Sequence, residues 1–228
     1  MTLSDDIQLK LFISDTAVTV REREGALWTL QHISEATDMP VSELFKVFPS
    51  KKSMLHYWYE GLPIRYRAMI AELEEYDQLT LSEKLTNMML TILSMMDEQD
   101  AFVKKSFDQL VFRNQSWHPF KKEVAQLFKE IVEQHDGVSQ AARVVLWDEF
   151  FEFLGKEFLH VVKFRNKDTS EHREKTTALV DKISFFVSEL LCAKILDSGM
   201  DLARFFWQEG IIKVDITLPF VGRIKSGR

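Results

Sequence analysis

The chain has 228 residues and a formal net charge of −6. It is therefore long enough for one large domain or for a small domain and a larger one, and its overall charge gives no general attraction to nucleic acid. Only 8 glycines and 5 prolines stand beside 18 phenylalanines and 9 methionines, which predicts few turns, long elements and an all-α fold.

The cellular location is predicted from cysteine content and hydropathy. Cys192 is the single cysteine, so an intrachain disulfide is excluded. The N-terminus has no basic start followed by a small-residue cleavage site, and no uncharged apolar run reaches about 18 residues. We therefore expect a cytoplasmic protein without a membrane span.

Three short helices are predicted in the first 50 residues. Apolar spacing places the first over about residues 5–23, with Gly25 closing it. Thr29 is the predicted N-cap of the second helix, which runs to about Ala36. The third begins near Pro40. Its apolar stripe is Val41, Leu44, Phe45 and Phe48.

Longer helices are predicted for the remainder of the chain. Ser50 caps a fourth helix that starts at Lys51, and we expect Pro63 to kink or split it before it ends near Tyr76. Capping residues and apolar periodicity define the others. Their approximate ranges are 80–96, 101–113, 119–135, 144–164, 170–196 and 201–208.

The N-terminal pattern carries a family resemblance. The matching positions are Thr29, Ile33, Ser34, Leu44, Phe45, Phe48 and Lys51. Over about residues 7–60 the pattern resembles the helix-turn-helix of the TetR family of transcriptional regulators. The resemblance implies a TetR-like, all-α fold, in which a three-helix DNA-binding domain (residues 1–50) precedes a larger ligand-binding and dimerisation domain (residues 51–228).

A contact surface for double-stranded DNA follows from this arrangement, because the second helix of a helix-turn-helix enters the major groove. Backbone amides at helix starts also bind phosphates. By resemblance, Thr29 and Lys51 match positions that touch backbone phosphates in the family. The predicted DNA-contacting residues are Thr29, Ser42, Glu43, Phe45, Lys46, Lys51 and Lys52.

Several of these positions depart from the family pattern. Phe45 replaces a tyrosine whose hydroxyl binds phosphate, and Glu43 replaces a small residue with a carboxylate that repels phosphate. Between residues 29 and 55 the three lysines are matched by three acidic residues, whereas DNA-binding surfaces are typically basic. Two hypotheses therefore stay open: a DNA-binding regulator, and a lipid- or ligand-binding protein of the same fold that has lost operator binding.

The C-terminal half contains candidates for a dimer face and a ligand pocket. The two helices predicted over 144–164 and 170–196 are apolar on more than one side, which favours burial against a partner and, by resemblance, a homodimer. The middle helices are rich in methionine and phenylalanine, as in pockets for small hydrophobic or amphipathic ligands. We name Met89, Phe107 and Phe128 as lining candidates; the alternative is that they are ordinary core residues.

No catalytic residue, metal ligand or cofactor is predicted. Glu157 and His160 have the spacing of one half of a di-iron site, but such a site needs a second Glu-x-x-His pair and two further glutamates. One cysteine and no His-x-x-x-His pair argue against zinc. The sequence also lacks a glycine-rich phosphate loop.

Overall fold

The computed structural model describes residues 3–116, 118–139, 142–143 and 148–193. Within these ranges the chain forms α-helices joined by turns and 3-10 segments, with no β-strand, which confirms the all-α prediction. The helices are α1 Asp5–Glu24, α2 Leu30–Thr37, α3 Val41–Val47, α4 Lys51–Ile70, α5 Leu81–Asp97, α6 Asp100–Leu110, α7 Pro119–Glu133, α8 Asp148–Lys167 and α9 Glu174–Cys192.

Local capping groups set the helix boundaries of the N-terminal unit. Gly25 closes α1 with a positive φ of 60°, a conformation that glycine adopts without steric cost. The Thr29 hydroxyl accepts a hydrogen bond from the backbone N–H of His32 at 3.3 Å and so caps α2. Asp38 ends α2 in the left-handed region, with φ 53°. These features confirm the predicted first two helices.

The core of the N-terminal unit lies between α1 and α4, and α2 packs against both α1 and α3. Because each helix contributes one apolar face, the four helices enclose a common interior. Buried members of this interior are Ile13, Ala17, Ile33, Leu44, Phe48 and Leu62. The unit is joined to the body at the end of α1, where the Glu22 carboxylate accepts a hydrogen bond from the backbone N–H of Phe102 at 2.7 Å.

Two sequence predictions in this unit were wrong. The fourth helix ends at Ile70 and not near Tyr76, which lies in a separate 3-10 turn, and Pro63 does not split it into two elements. A proline removes only one intrahelical hydrogen bond, and here Pro63 is buried among packed helices that stabilise the element. Phe45 was assigned to the apolar stripe of α3, yet it is 51 % exposed, while Val47 packs against the core.

The body of the molecule consists of α5 to α9, with α7 packed on α8 and α5 packed on α9. Gly155 allows α8 to approach α7 closely, because a Cβ at this position would lie 2.9 Å from the carbonyl oxygen of Lys121. The Ser139 hydroxyl accepts a hydrogen bond from the backbone N–H of Ala142 at 3.0 Å. Predicted helical segments 144–147, 194–196 and 201–208 lie outside the described residues.

An ionic cluster around the buried Arg165 fixes α8 against the junction of α5 and α6. The side chain of Arg165 is 1 % exposed and forms ion pairs with Asp97 and Asp100, which also pair with Arg173. Two guanidinium groups thus face two carboxylates, which compensates the desolvation of the buried charge. No helix among the described residues is long and apolar enough to cross a membrane.

Candidate nucleic-acid interface

The outward face of α3 presents most of the residues predicted to read bases. Ser42, Phe45 and Lys46 are exposed, and Glu43 is half-buried. The Lys46 ammonium lies 2.6 Å from a Glu43 carboxylate oxygen, one turn earlier on the same helix. Because these two charges offset each other, the centre of the face has no net charge of its own.

A second group of residues joins the starts of α2 and α4. The Lys51 ammonium donates a hydrogen bond to the backbone carbonyl of Trp28 at 2.8 Å and lies 4.7 Å from the centroid of the Trp28 ring. Lys51 is thereby held beside Thr29, although the two residues are far apart in sequence. The structure thus brings together the two positions that match phosphate contacts in the family.

The start of α4 is fixed by a reciprocal capping box. The backbone N–H of Ser53 donates to the Ser50 hydroxyl, and the backbone N–H of Ser50 donates to the Ser53 hydroxyl, each at 3.1 Å. Lys52 is exposed in the first turn, and no described carboxylate pairs with it. This helix start therefore carries two lysines, and Lys51 contacts the residue directly before Thr29.

Trp28 belongs to the candidate interface, and the sequence did not predict it. Its carbonyl and its ring hold Lys51, which follows it by 23 residues. An aromatic residue directly before a helix cap has no local pattern that predicts this contact. Only the tertiary contact between the start of α4 and the segment before α2 reveals it.

The three ligand candidates all lie in the interior. Met89, Phe107 and Phe128 are buried, and the Phe107 ring packs near that of Tyr59 with centroids 5.9 Å apart. An open groove of about 670 Å³ lies between α5 and α9. It is lined by residues such as Leu90, Asn87 and Phe185, and by none of the three candidates.

Large apolar side chains remain uncovered on α8 and α9. Phe185 and Phe186, adjacent on α9, are 61 % and 66 % exposed. The others on these two helices are Phe153, Phe164 and Leu190. We call these five residues the aromatic face. Neighbouring exposed apolar side chains such as Phe185 and Phe186 are candidates for an interaction site.

The polar residues considered for metal binding are dispersed. Among the described residues, no group of three or more histidine, cysteine, aspartate or glutamate side chains is arranged to hold a metal ion. His160, one half of the Glu157–His160 pair, is exposed and lies edge-on to the Phe112 ring, with centroids 5.1 Å apart.

Comparisons with known proteins give the family. The family model described as "Tetracyclin repressor-like, C-terminal domain" matches residues 84–206, more than half of the chain. The fold is similar to the crystal structure of the TetR transcriptional regulator from Nitrosomonas europaea ATCC 19718, with a TM-score of 0.59 and 16 % identity over 78 % of this chain and 97 % of that chain. No curated protein matches the sequence. Because the family model matches more than half of its length, this chain belongs to the TetR family of transcriptional regulators.

Proposed function

We propose that this protein is a cytoplasmic, DNA-binding transcriptional regulator. Residues 1–50 form its DNA-binding domain, and residues 51–228 form its ligand-binding and dimerisation domain. The observation that supports this best is the surface formed by α3 and the starts of α2 and α4. There, the exposed helix α3 lies beside the capped N-termini of α2 and α4. Lys51, at the start of α4, donates a hydrogen bond to the carbonyl of Trp28, directly before α2.

The residues of this surface divide into phosphate and base contacts. Thr29, Lys51 and Lys52 stand at the helix starts, where amides and ammonium groups bind phosphates and position the protein. Ser42, Glu43, Phe45 and Lys46 stand on α3, where they meet base edges. A carboxylate accepts from a cytosine amine, and an exposed phenyl ring contacts a thymine methyl group.

Homodimerisation through the aromatic face supports the same function. Five large apolar side chains on α8 and α9 need a partner to cover them, and a second copy of the chain offers the same surface in return. A two-fold symmetric dimer presents two copies of α3. We therefore expect the operator to be a palindrome whose half-sites are separated by about one helical turn or a multiple of it.

A small hydrophobic or amphipathic ligand of the body is the remaining element of the proposal. The interior of α5 to α7 contains Met89, Phe107 and Phe128, and methionine side chains repack readily around a guest. Such a ligand should stabilise the fold by about 2.7 kcal/mol at one hundred times its dissociation constant. A thermal-shift screen with acyl compounds of different chain lengths measures this directly.

The Glu43–Lys46 ion pair favours the second candidate function, a ligand-binding protein of the same fold without operator binding. The pair neutralises a lysine that would otherwise face the groove, so phosphate binding depends on Lys51, Lys52 and the helix starts. Selection from random DNA duplexes with the purified full-length protein separates the two functions. An enriched palindrome supports the regulator, whereas no binding to any selected duplex at about 50 mM salt would overturn it.

A further inference from the structure

The first turn of α6 is where α1 meets the body of the molecule. Its N-cap residue, Gln99, makes no capping hydrogen bond with its own side chain. The Glu22 carboxylate, in the last turn of α1, instead accepts a hydrogen bond from the backbone N–H of Phe102 at 2.7 Å. We propose that this turn is a joint that couples the N-terminal unit to the helices of the aromatic face, with Glu22 as the positioning residue on the side of α1.

The carboxylate of Glu22 takes the place of a local helix cap. The first backbone N–H groups of a helix have no partner inside it, and a capping side chain normally bonds the amide of the second or third residue. Phe102 is the third residue of α6, and its cap comes from a residue 80 positions earlier in the chain. A carboxylate is favourable here, because the N-terminus of a helix carries partial positive charge. The order of this turn therefore depends on α1.

The side chain of Phe102 is packed by the N-terminal unit as well. It is 2 % exposed, and the guanidinium carbon of Arg21 lies 5.3 Å from the centroid of its ring. The rings of Trp58 and Tyr59, both on α4, have centroids 5.2 Å and 5.7 Å away. These contacts keep α6 beside α1 and α4 even without Glu22. Loss of the carboxylate should therefore change the order and the angle of the turn rather than separate the helices.

The same turn is bonded to the body on its other side. The carboxylate of Asp100, the first residue of α6, lies 2.9 Å from Nη1 of Arg165 on α8 and 2.5 Å from Nη2 of Arg173, the residue directly before α9. Because Arg165 is buried, loss of this contact would leave a buried charge less well compensated. The aromatic face lies on α8 and α9, so one turn of α6 connects that face with α1.

Coupling follows because both sets of contacts need the turn to be helical. The bond to Glu22 requires the amide of Phe102 to be presented by an ordered first turn, and the ion pairs of Asp100 require its carboxylate at a fixed position in the same turn. A contact that orders the turn lowers the entropic cost of forming the other contact. Such coupling is reciprocal, so a change at α8 and α9 should alter the bond between Glu22 and Phe102, and the reverse.

The joint affects how a dimer would meet DNA, a consequence that rests on the proposed function. Helix α4 packs against both α1 and α7, so it is one attachment of the N-terminal unit to the body. The contact of α1 with α6 is a second attachment through a different pair of helices, and two attachments restrict rotation that one permits. In a two-fold symmetric dimer, this restriction fixes the separation of the two copies of α3 and hence the preferred spacing of the half-sites.

Amide hydrogen exchange of the full chain, followed by NMR, tests the cap. In Glu22→Ala the amide of Phe102 loses its acceptor and should exchange about fivefold faster, whereas Glu22→Gln keeps an oxygen acceptor and should restore part of the protection. Glu24→Gln is the matched control, because it removes the same charge from the same turn of α1, where Glu24 pairs with Arg23. Amides in the middle of α7 report global unfolding and serve as the reference. Equal protection of Phe102 in the wild type and in Glu22→Ala would overturn the proposal.

A substitution on the body side tests the coupling. Arg173→Gln removes an ion pair of Asp100, and no described ion pair joins Arg173 to α1. If the turn is a joint, the amide of Phe102 should exchange about twofold faster or more in this variant. Arg113→Gln is the control, since Arg113 pairs with Asp108 in the later part of α6 at 2.7 Å. Unchanged exchange of Phe102 in Arg173→Gln, or the same acceleration in Arg113→Gln after correction for global unfolding, would overturn the coupling.

The spacing of the operator half-sites gives a separate measurement on DNA. The wild type should lose affinity for versions of a selected duplex whose half-sites are one base pair closer together or further apart. Glu22→Ala should lose less, because its N-terminal units adjust more freely, and Glu24→Gln should behave as the wild type. The same spacing dependence in all three proteins would overturn the positioning role of Glu22. Failure to bind DNA at any spacing would overturn the proposed function, whereas hydrogen exchange would still decide the joint.

Discussion

The exposed face of α3 and the aromatic face of α8 and α9 differ in how their side chains are compensated within one chain. On α3, the charge of Lys46 is offset by Glu43 one turn away on the same helix. On α9, the rings of Phe185 and Phe186 have no comparable local solution and remain more than half exposed. A charge is compensated by one neighbouring group, but apolar area is removed from water only when another surface covers it.

The difference has an energetic consequence. An exposed ion pair such as Lys46–Glu43 contributes about 0–1 kcal/mol and is exchanged readily for contacts with a phosphate or a base. Full burial of one phenylalanine contributes about 1.5–3 kcal/mol. We therefore expect the C-terminal contact to be strong and permanent, and the N-terminal contact to be weaker and dependent on salt.

The largest expected effect is on assembly. The double change Phe185→Glu with Phe186→Glu places four carboxylates in the interface of a symmetric dimer, and interface anchors of this kind each contribute about 2 kcal/mol or more. We expect dimers to become monomers at micromolar concentration in analytical ultracentrifugation. Phe12→Glu, on the exposed side of α1, is the matched control and should leave the dimer intact. A wild-type monomer would contradict the prediction.

The next prediction concerns the opposite side of α8, which is closely packed. Gly155→Ala places a methyl group against the Lys121 carbonyl oxygen, so the free energy of unfolding should fall by about 1–3 kcal/mol in urea denaturation. Lys156→Ala, on the exposed neighbouring residue, should change it little. If both substitutions lower the free energy of unfolding equally, α8 is not closely packed against α7 at Gly155.

Salt dependence tests the weaker N-terminal face. With Lys51 and Lys52 from each protomer, the slope of log affinity against log salt should be about −4, since each neutralised phosphate contributes about 0.9. Glu43→Gln frees Lys46 and should steepen the slope by roughly 2 for a dimer while tightening binding at low salt. Glu35→Gln removes an equal charge without freeing a lysine, so an identical change in slope would argue against the ion-pair explanation.

The smallest expected effect concerns the cap of α2. Thr29→Ala removes the acceptor for the His32 amide and should lower the free energy of unfolding by about 1 kcal/mol. Thr29→Ser keeps the hydroxyl and should restore most of the stability in the same denaturation experiment. If Thr29→Ala weakens DNA binding beyond this loss, the amides at the start of α2 contribute to phosphate binding.

The sequence by itself determined the elements whose cause is local. Thr29 and Ser50 cap helices where they were predicted to, and Thr80 and Glu83 form a reciprocal capping box at the start of α5. Each of these groups finds its partner within three residues along the chain, so the spacing alone is sufficient. The all-α fold followed for the same reason, since apolar periodicity is read within a few turns.

Only the tertiary structure decided the contacts between distant segments. Lys51 meets Trp28 across 23 residues, and His56 meets His118 across 62, because α4 is packed beside the start of α2 and against the start of α7. Similarly, a period of 3.6 residues placed Phe45 on the apolar stripe, yet Leu44 and Phe48 fill the available interior and Phe45 faces outward. The packing of the helices decides which apolar residues are covered and which polar groups meet. That packing is a property of the whole chain.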